Sequence, residues 1–314
     1  MTRRCISFLI LALTASAQAD LSIDLTYIGN PGNLADDTGF GAVSHPYYIS
    51  TYEVTVAQYT EFLNAAAKSD PYSLYSNYME TDPLGASILR SGSDGSYTYT
   101  AVSGKENQPV GWVTWYDGLR LCNWLGNGQG SSTTETGSYD MAEGTWALRG
   151  SNATWVLPTE DEWYKAAYYS ASNALYYNYP NGSDAVPAEP TDETTPREMN
   201  FGDAPYWQHT VYFASTGQTT ASSPYGTYDQ GGNVSEWMET RSVQFPDHIV
   251  RGGSFTSDAN DLNAGRAYGY DPENEGSRFG LRVVYLIPEP STLPMIASAL
   301  PLLWWLKRRR ERNS

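Results

Sequence analysis

Sulfur is scarce in this chain. Of 314 residues only two are cysteine, Cys5 and Cys122. Cys5 lies in the N-terminal apolar segment, so once that segment is set aside Cys122 stands alone. No intramolecular disulfide is then available, and stability must come from packing or bound metal. Histidine is nearly as rare: His45, His209 and His248 are scattered, with no His-x-x-x-His spacing to hold a redox or catalytic metal. Basic residues are few, at 19 against 35 acidic, and seven of the 19 lie in the two ends. The stretch between the ends keeps 12 basic and 33 acidic residues. Phosphate backbones need clustered Lys and Arg, so this balance excludes nucleic acid as a partner. It suits an exported protein and one that takes up divalent cations. A P-loop, a dinucleotide fingerprint and a nucleophile elbow are all missing.

Aromatic residues are abundant instead: 25 Tyr, 10 Trp and 8 Phe. They either surface a rigid, loop-rich binding face or fill a core poor in Leu and Ile. With 40% hydrophobic and 17% charged residues the chain has the means to bury a core.

Both ends read as addresses. Residues 1–19 form a signal peptide: Arg3 and Arg4, the apolar run Ile6 to Leu13, and the cleavage site Ala17-Gln18-Ala19, with signal peptidase as the processing enzyme. Residues 288–314 begin at Pro288-Glu289-Pro290, continue through the apolar run Leu293 to Leu306 and close on Lys307-Arg308-Arg309-Arg310. The run is short for a free-standing span, and its basic tail would stay cytoplasmic. In order and position this resembles the bacterial PEP-CTERM sorting signal. The resemblance implies membrane transit, an exosortase as partner and removal of the tail; a plain C-terminal anchor is the alternative. Either places the domain in the periplasm, on the cell surface or in the extracellular matrix.

Residues 20–287 read as one loop-rich α+β domain. Three helices are expected to open at Thr55, Thr114 and Thr159, each followed three residues on by Gln58, Asp117 or Glu162. Asp117 is the weaker partner of the three, although an acid suits a helix N-terminus. Strand composition occurs at Tyr47-Tyr48-Ile49-Ser50, at Tyr97-Thr98-Tyr99-Thr100, around Val250 and Phe255, and at Arg282-Val283-Val284-Tyr285. Asp70 to Gly95 and Asn178 to Pro196 read as surface loops.

Motifs spread over most of residues 40–285 resemble the formylglycine-generating enzyme (sulfatase-modifying factor) family. They include Tyr52-Glu53-Val54-Thr55, Leu157-Pro158-Thr159-Glu160, Gly232-Asn233-Val234-Ser235-Glu236-Trp237, Arg251-Gly252-Gly253-Ser254 and Phe279-Gly280-Leu281-Arg282. The resemblance implies the family's variant of the C-type lectin fold, with short helices and small mixed sheets. Asp229 and Glu236 flank an oxygen-rich turn suited to calcium. By resemblance the family's calcium loop falls on the Asp229 and Glu236 side chains and the Gly232 and Val234 carbonyls. A second site would use Asn200 and the Phe201 carbonyl. Turn-capping acids without metal are the alternative.

The family's oxidase chemistry needs two thiolates shortly after Arg-Gly-Gly-Ser, to hold copper(I) and activate oxygen. By resemblance those positions fall near Ser257 and Leu262, and neither is a thiol, so copper is not expected. Two readings stay open. One is a non-catalytic exported module that binds a peptide or glycan in a groove near Ser254, Asp258 and Arg266. The other is a formylglycine-generating-type oxidoreductase that modifies a sulfatase or another exported protein.

Overall fold

The computed structural model describes residues 20–84, 86–188, 198–202, 213–244 and 247–288. Residues 1–19 and 289–314, which carry the proposed addresses, lie outside them, as does His209. Among the described residues no helix is long and apolar enough to cross a membrane.

Each of the three expected helices starts where a threonine hydroxyl satisfies a backbone donor. These are α1 (Val56–Ala66), α3 (Trp115–Gly126) and α4 (Glu160–Tyr168), capped by Thr55, Thr114 and Thr159. In all three the residue three positions on returns the bond to the cap backbone, Asp117 included, so the box closes as fully with Asp as with Gln58 and Glu162. Among the described residues a one-turn helix α2 (Tyr78–Thr81) and a 3₁₀ turn at Met141–Trp146 are the other helical elements.

The strands are β1 (Leu25–Ile28), β2 (Tyr47–Ser50), β3 (Ile88–Ser91), β4 (Thr98–Ala101), β5 (Trp155–Val156), β6 (Tyr169–Ser170), β7 (Leu175–Tyr176), β8 (Ser235–Arg241), β9 (His248–Arg251), β10 (Tyr268–Tyr270), β11 (Phe279–Gly280) and β12 (Val284–Leu286). One sheet runs β1-β2-β12-β5, the other β10-β9-β8-β11, and β3-β4 and β6-β7 form two ribbons. Val284 of β12 pairs with both Ile49 of β2 and Val156 of β5, so the end of the domain is laced to its beginning.

Two expectations need correction. Phe255 lies in a turn beyond β9 rather than in a strand, and its ring packs edge-on against Phe213. The stretch Asp70 to Gly95 is not a plain loop: it holds α2 and β3, because Met79 and Ile88 have core to bury into.

Aromatic side chains do much of the core filling. Buried α1 positions Val56, Tyr59, Phe62 and Leu63 meet α3 through contacts such as Phe62 on Trp124. Each fully buried tryptophan finds an acceptor for its N–H: Trp115 on the Met238 carbonyl, Trp237 on that of Val113, Trp124 on that of Gly130 and Trp163 on Glu236. A large apolar surface is thereby buried without an orphaned donor.

Candidate functional site

The turn from Asp229 to Glu236 and the loop after β9 meet in the second sheet, and glycine makes the meeting possible. Gly232 has φ of +85°, and a Cβ there would lie 2.2 Å from the Asn200 carbonyl oxygen. The Asn233 N–H donates to that same carbonyl at 2.7 Å, and the Asn233 side-chain oxygen accepts from Asn200 Nδ2 and from the Ala214 N–H. Gly232 N–H donates to the Gly252 carbonyl at 2.9 Å, which ties the turn to the Arg-Gly-Gly-Ser segment.

Glu236 has almost no exposure, and neither does Arg282. Arg282 Nη2 reaches Glu236 Oε1 at 2.8 Å and Nε reaches Oε2 at 2.9 Å, while Trp163 Nε1 donates to Oε2 at 2.6 Å. The remaining guanidinium donors go to the carbonyls of Ser50 and Tyr228. Glu53 closes the cluster from the other side, accepting from the Val234 N–H at 3.0 Å and from Asn233 Nδ2 at 2.6 Å.

At Glu236 the calcium ligand set implied by the family resemblance meets a guanidinium. Calcium needs six to eight oxygen ligands with lone pairs to give. The Glu236 lone pairs are taken by a guanidinium and an indole, and a second cation beside Arg282 would meet its charge at close range. Asp229 is buried and accepts from the Thr219 hydroxyl at 2.6 Å. Burial pushes its carboxyl up to about 6 against the pull of Thr219 and Arg282. Burial likewise raises Glu53 well above the carboxylate range, with Asp229 and Glu236 adding to it. Glu53, Asp229 and Glu236 gather around one guanidinium, and burial with like charge pushes the first two carboxyls up. Val234 joins the cluster through its N–H to Glu53, whereas the Asn200 carbonyl is engaged by Asn233. Phe201 packs with Tyr179, Met199 and Leu262. Among the described residues no group of three His, Cys, Asp or Glu side chains could hold a metal ion.

Ser257 and Leu262, the positions that the resemblance assigns to the family's thiolates, come together. A Cβ on Gly253, at φ +70°, would lie 3.0 Å from Leu262 Cδ1 and 3.2 Å from Ser257 Cβ. Both side chains therefore border the same small space. Ser257 Oγ accepts the Ser254 N–H at 3.1 Å, capping the turn, and Leu262 is fully buried. A turn hydroxyl and a packed isobutyl group have no affinity for a soft monovalent metal. Cys122 is no substitute: it is sealed inside α3, and burial pushes its thiol far up.

The expected groove is corrected in part. Ser254 is buried, with its hydroxyl against Thr256 Oγ1 at 3.0 Å, so it lines no open surface. Asp258 is exposed and accepts the Asn260 N–H at 2.8 Å as a turn cap. Arg266 is exposed too, and its carbonyl receives Arg251 Nη1 at 2.9 Å.

Sequence reasoning missed the partners that decide these roles. Arg282 stood in a recognised motif, Phe-Gly-Leu-Arg, without an assigned task. A second ion network went unread: Arg149 bridges Glu162 at 2.9 Å and Glu239 at 2.6 Å, and His45 also meets Glu162 at 3.0 Å. Burial opposes ionisation of Glu162, but Arg149 and the hydrogen bonds from His45 and Thr159 outweigh it and hold the carboxyl at about 2. His248 stacks on Trp115 with ring centroids 3.7 Å apart, and burial lowers it to about 4, so it is a neutral packing residue.

Comparison with known proteins agrees with this architecture. The chaperone protein LppX of Paenibacillus barcinonensis is 27% identical over 204 residues, covering 57% of this chain and 70% of that protein. The crystal structure of CarF superposes with a TM-score of 0.55 at 18% identity, covering 86% of this chain and all of CarF. Variable protein 1 of Treponema denticola gives 0.52 at 18% identity, covering 84% and 95%. At such identities these structures speak for the fold alone, a C-type-lectin-like α+β fold with few helices and small sheets. Residues 39–287 match the sulfatase-modifying factor enzyme 1-like domain, and with most of its length inside that match the chain belongs to this family.

Proposed function

We propose that the domain is an exported, non-catalytic binding module of its family. The reading is supported by the pair beside Gly253: Ser257 and Leu262, at the positions the resemblance assigns to two thiolates, border one space and neither is a thiol. Without soft ligands the space holds no copper(I), and oxygen activation has no centre. The curated relative named a chaperone supports a binding role over a catalytic one. Export rests on the sequence of the two ends, with signal peptidase and an exosortase as processing partners and membrane contact through the C-terminal segment before processing. The ligand class is an exported peptide or glycan. Calcium at Asp229 and Glu236 is left out of the proposal, because Arg282 supplies the positive charge at Glu236.

The test is direct. The full chain, incubated aerobically with and without added copper, is offered a Cys-x-Pro-x-Arg peptide, and aldehyde is followed by hydrazide capture. No aldehyde above the enzyme-free rate is expected. Copper-dependent aldehyde formation would establish the oxidoreductase reading instead.

A further inference from the structure

The sheet β1-β2-β12-β5 carries a line of aromatic residues across all four of its strands. Tyr27 of β1 pairs with Tyr48 of β2, Tyr48 with Tyr285 of β12, and Tyr285 with Trp155 of β5. Side chains alternate between the two faces of a sheet, and the residues beside this line, Ile28, Tyr47, Val284 and Val156, have no exposure. The line therefore stands on the face turned away from the core. Tyr27 is 51% exposed and the other three are half-buried. No residue of the four strands is charged.

Two pairs make up the line. Tyr27 and Tyr48 lie with ring centroids 5.3 Å apart and planes at 57°, Trp155 and Tyr285 5.2 Å apart and at 61°. Rings tilted in this way leave a V-shaped notch in each pair instead of a flat platform. Adjacent strands are about 4.8 Å apart, which puts the two notches, separated by two strand spacings, about 10 Å from each other. The polar tips are unspent: the three phenol hydroxyls and the Trp155 indole N–H have no hydrogen-bond partner among the described residues. An indole N–H only donates, so whatever docks here has to offer an acceptor.

We infer that this face binds a proline-rich segment of a partner protein, held in the polyproline II conformation and laid across the strands. That helix has three residues per turn and rises about 3.1 Å per residue, so prolines three positions apart recur about every 9 Å and match the two notches. Its carbonyls make no internal bonds and are open to the tyrosine hydroxyls and the indole, while proline brings no N–H that would go unmet. A sugar chain fits less well, because it stacks on ring faces lying in one plane and these rings are tilted against each other. Charge narrows the partner further. The strands offer no cation and the chain carries a net charge of −16, so the segment is neutral or flanked by Lys and Arg rather than acidic. The inference goes beyond the functional reading above and uses none of the residues around Gly253. An active oxidase would overturn that reading and leave this one standing.

Calorimetric titration of the full chain with three probes tests it: a lysine-flanked peptide of four Pro-Ala-Ala repeats, a lysine-flanked peptide of six Pro-Ala repeats, and cellohexaose. The second peptide holds more proline but never places two prolines three positions apart. The first should bind at least about tenfold more tightly than either of the others, the scale of losing one notch. Tyr27→Ala should weaken the first peptide about fivefold or more. Its melting temperature should not change, since Tyr27 is half exposed and is not packed against the core. The selectivity of the unaltered chain stands as a test even if a variant fails to fold. Absence of binding by the Pro-Ala-Ala peptide, equal or tighter binding of the Pro-Ala peptide or of cellohexaose, or unchanged affinity in a folded Tyr27→Ala variant would each overturn the inference.

Discussion

Arg282 and Glu236 form a buried forked ion pair, with Nη2 2.8 Å from Oε1 and Nε 2.9 Å from Oε2. Neither residue has measurable exposure, so breaking the pair strands a charge in the core. Arg282→Met should cost about 3–5 kcal/mol, read as a large drop in the urea midpoint. Because a guanidinium does the neutralising at Glu236, adding EDTA to the unaltered chain should leave the melting temperature where it is. A clear loss of stability with EDTA, restored by calcium, would show that the cluster rearranges to admit the metal.

Asp229 sets a pH dependence whose sign follows from its raised carboxyl. Its folded value of about 6 lies above the ordinary aspartate value, so below about pH 4 both states are protonated. Between about pH 4 and 6 the unfolded chain releases the proton first, and stability from this group falls as pH rises. Asp229→Asn removes that loss. The variant should gain about 1–2 kcal/mol over the parent at pH 7.5 and close to nothing at pH 4, by thermal melts at both values. A variant less stable at pH 7.5 would mean that the charged carboxylate is needed.

Gly232 and Gly226 separate two costs of adding a methyl group. Both have positive φ, at +85° and +93°, but Gly226 has open space around it. Gly226→Ala should cost about 1 kcal/mol, the backbone term alone. Gly232→Ala would also drive a Cβ into the Asn200 carbonyl and should cost at least about 3 kcal/mol. Equal melting temperatures for the two variants would refute the close approach.

The proposed absence of a thiolate centre beside Gly253 is tested by building one. A Ser257→Cys, Leu262→Cys double variant should bind one copper(I) in an anaerobic competition with bathocuproine, and the parent none. Leu262 is fully buried, so the same variant should lose about 2 kcal/mol or more of unfolding free energy through the cavity it leaves, read from the urea midpoint. Copper uptake by the parent chain would contradict the reading of this site.

Much of the fold was legible because its signals are local. Threonine with Gln, Asp or Glu three residues on marks a helix start through bonds made within one turn, and all three starts hold. Gly232 and Gly253 stand in two of the motifs that carry the family resemblance, and both mark close approaches in the fold. Phe255 misled because an apolar residue in a tight turn reads like one in a strand, and Ser254 because a polar side chain near a motif reads as exposed.

Chain chemistry alone determined that no paired thiols, clustered histidines or basic surface are available, since composition cannot be repaired by folding. Which charges meet was decided only in three dimensions. Glu236 is separated from Arg282 by 46 residues, Glu53 from Val234 by 181 and Arg149 from Glu239 by 90. A carboxylate's availability to a cation depends on whatever lies within a few ångströms of it, and sheet pairing rather than sequence spacing put a guanidinium there.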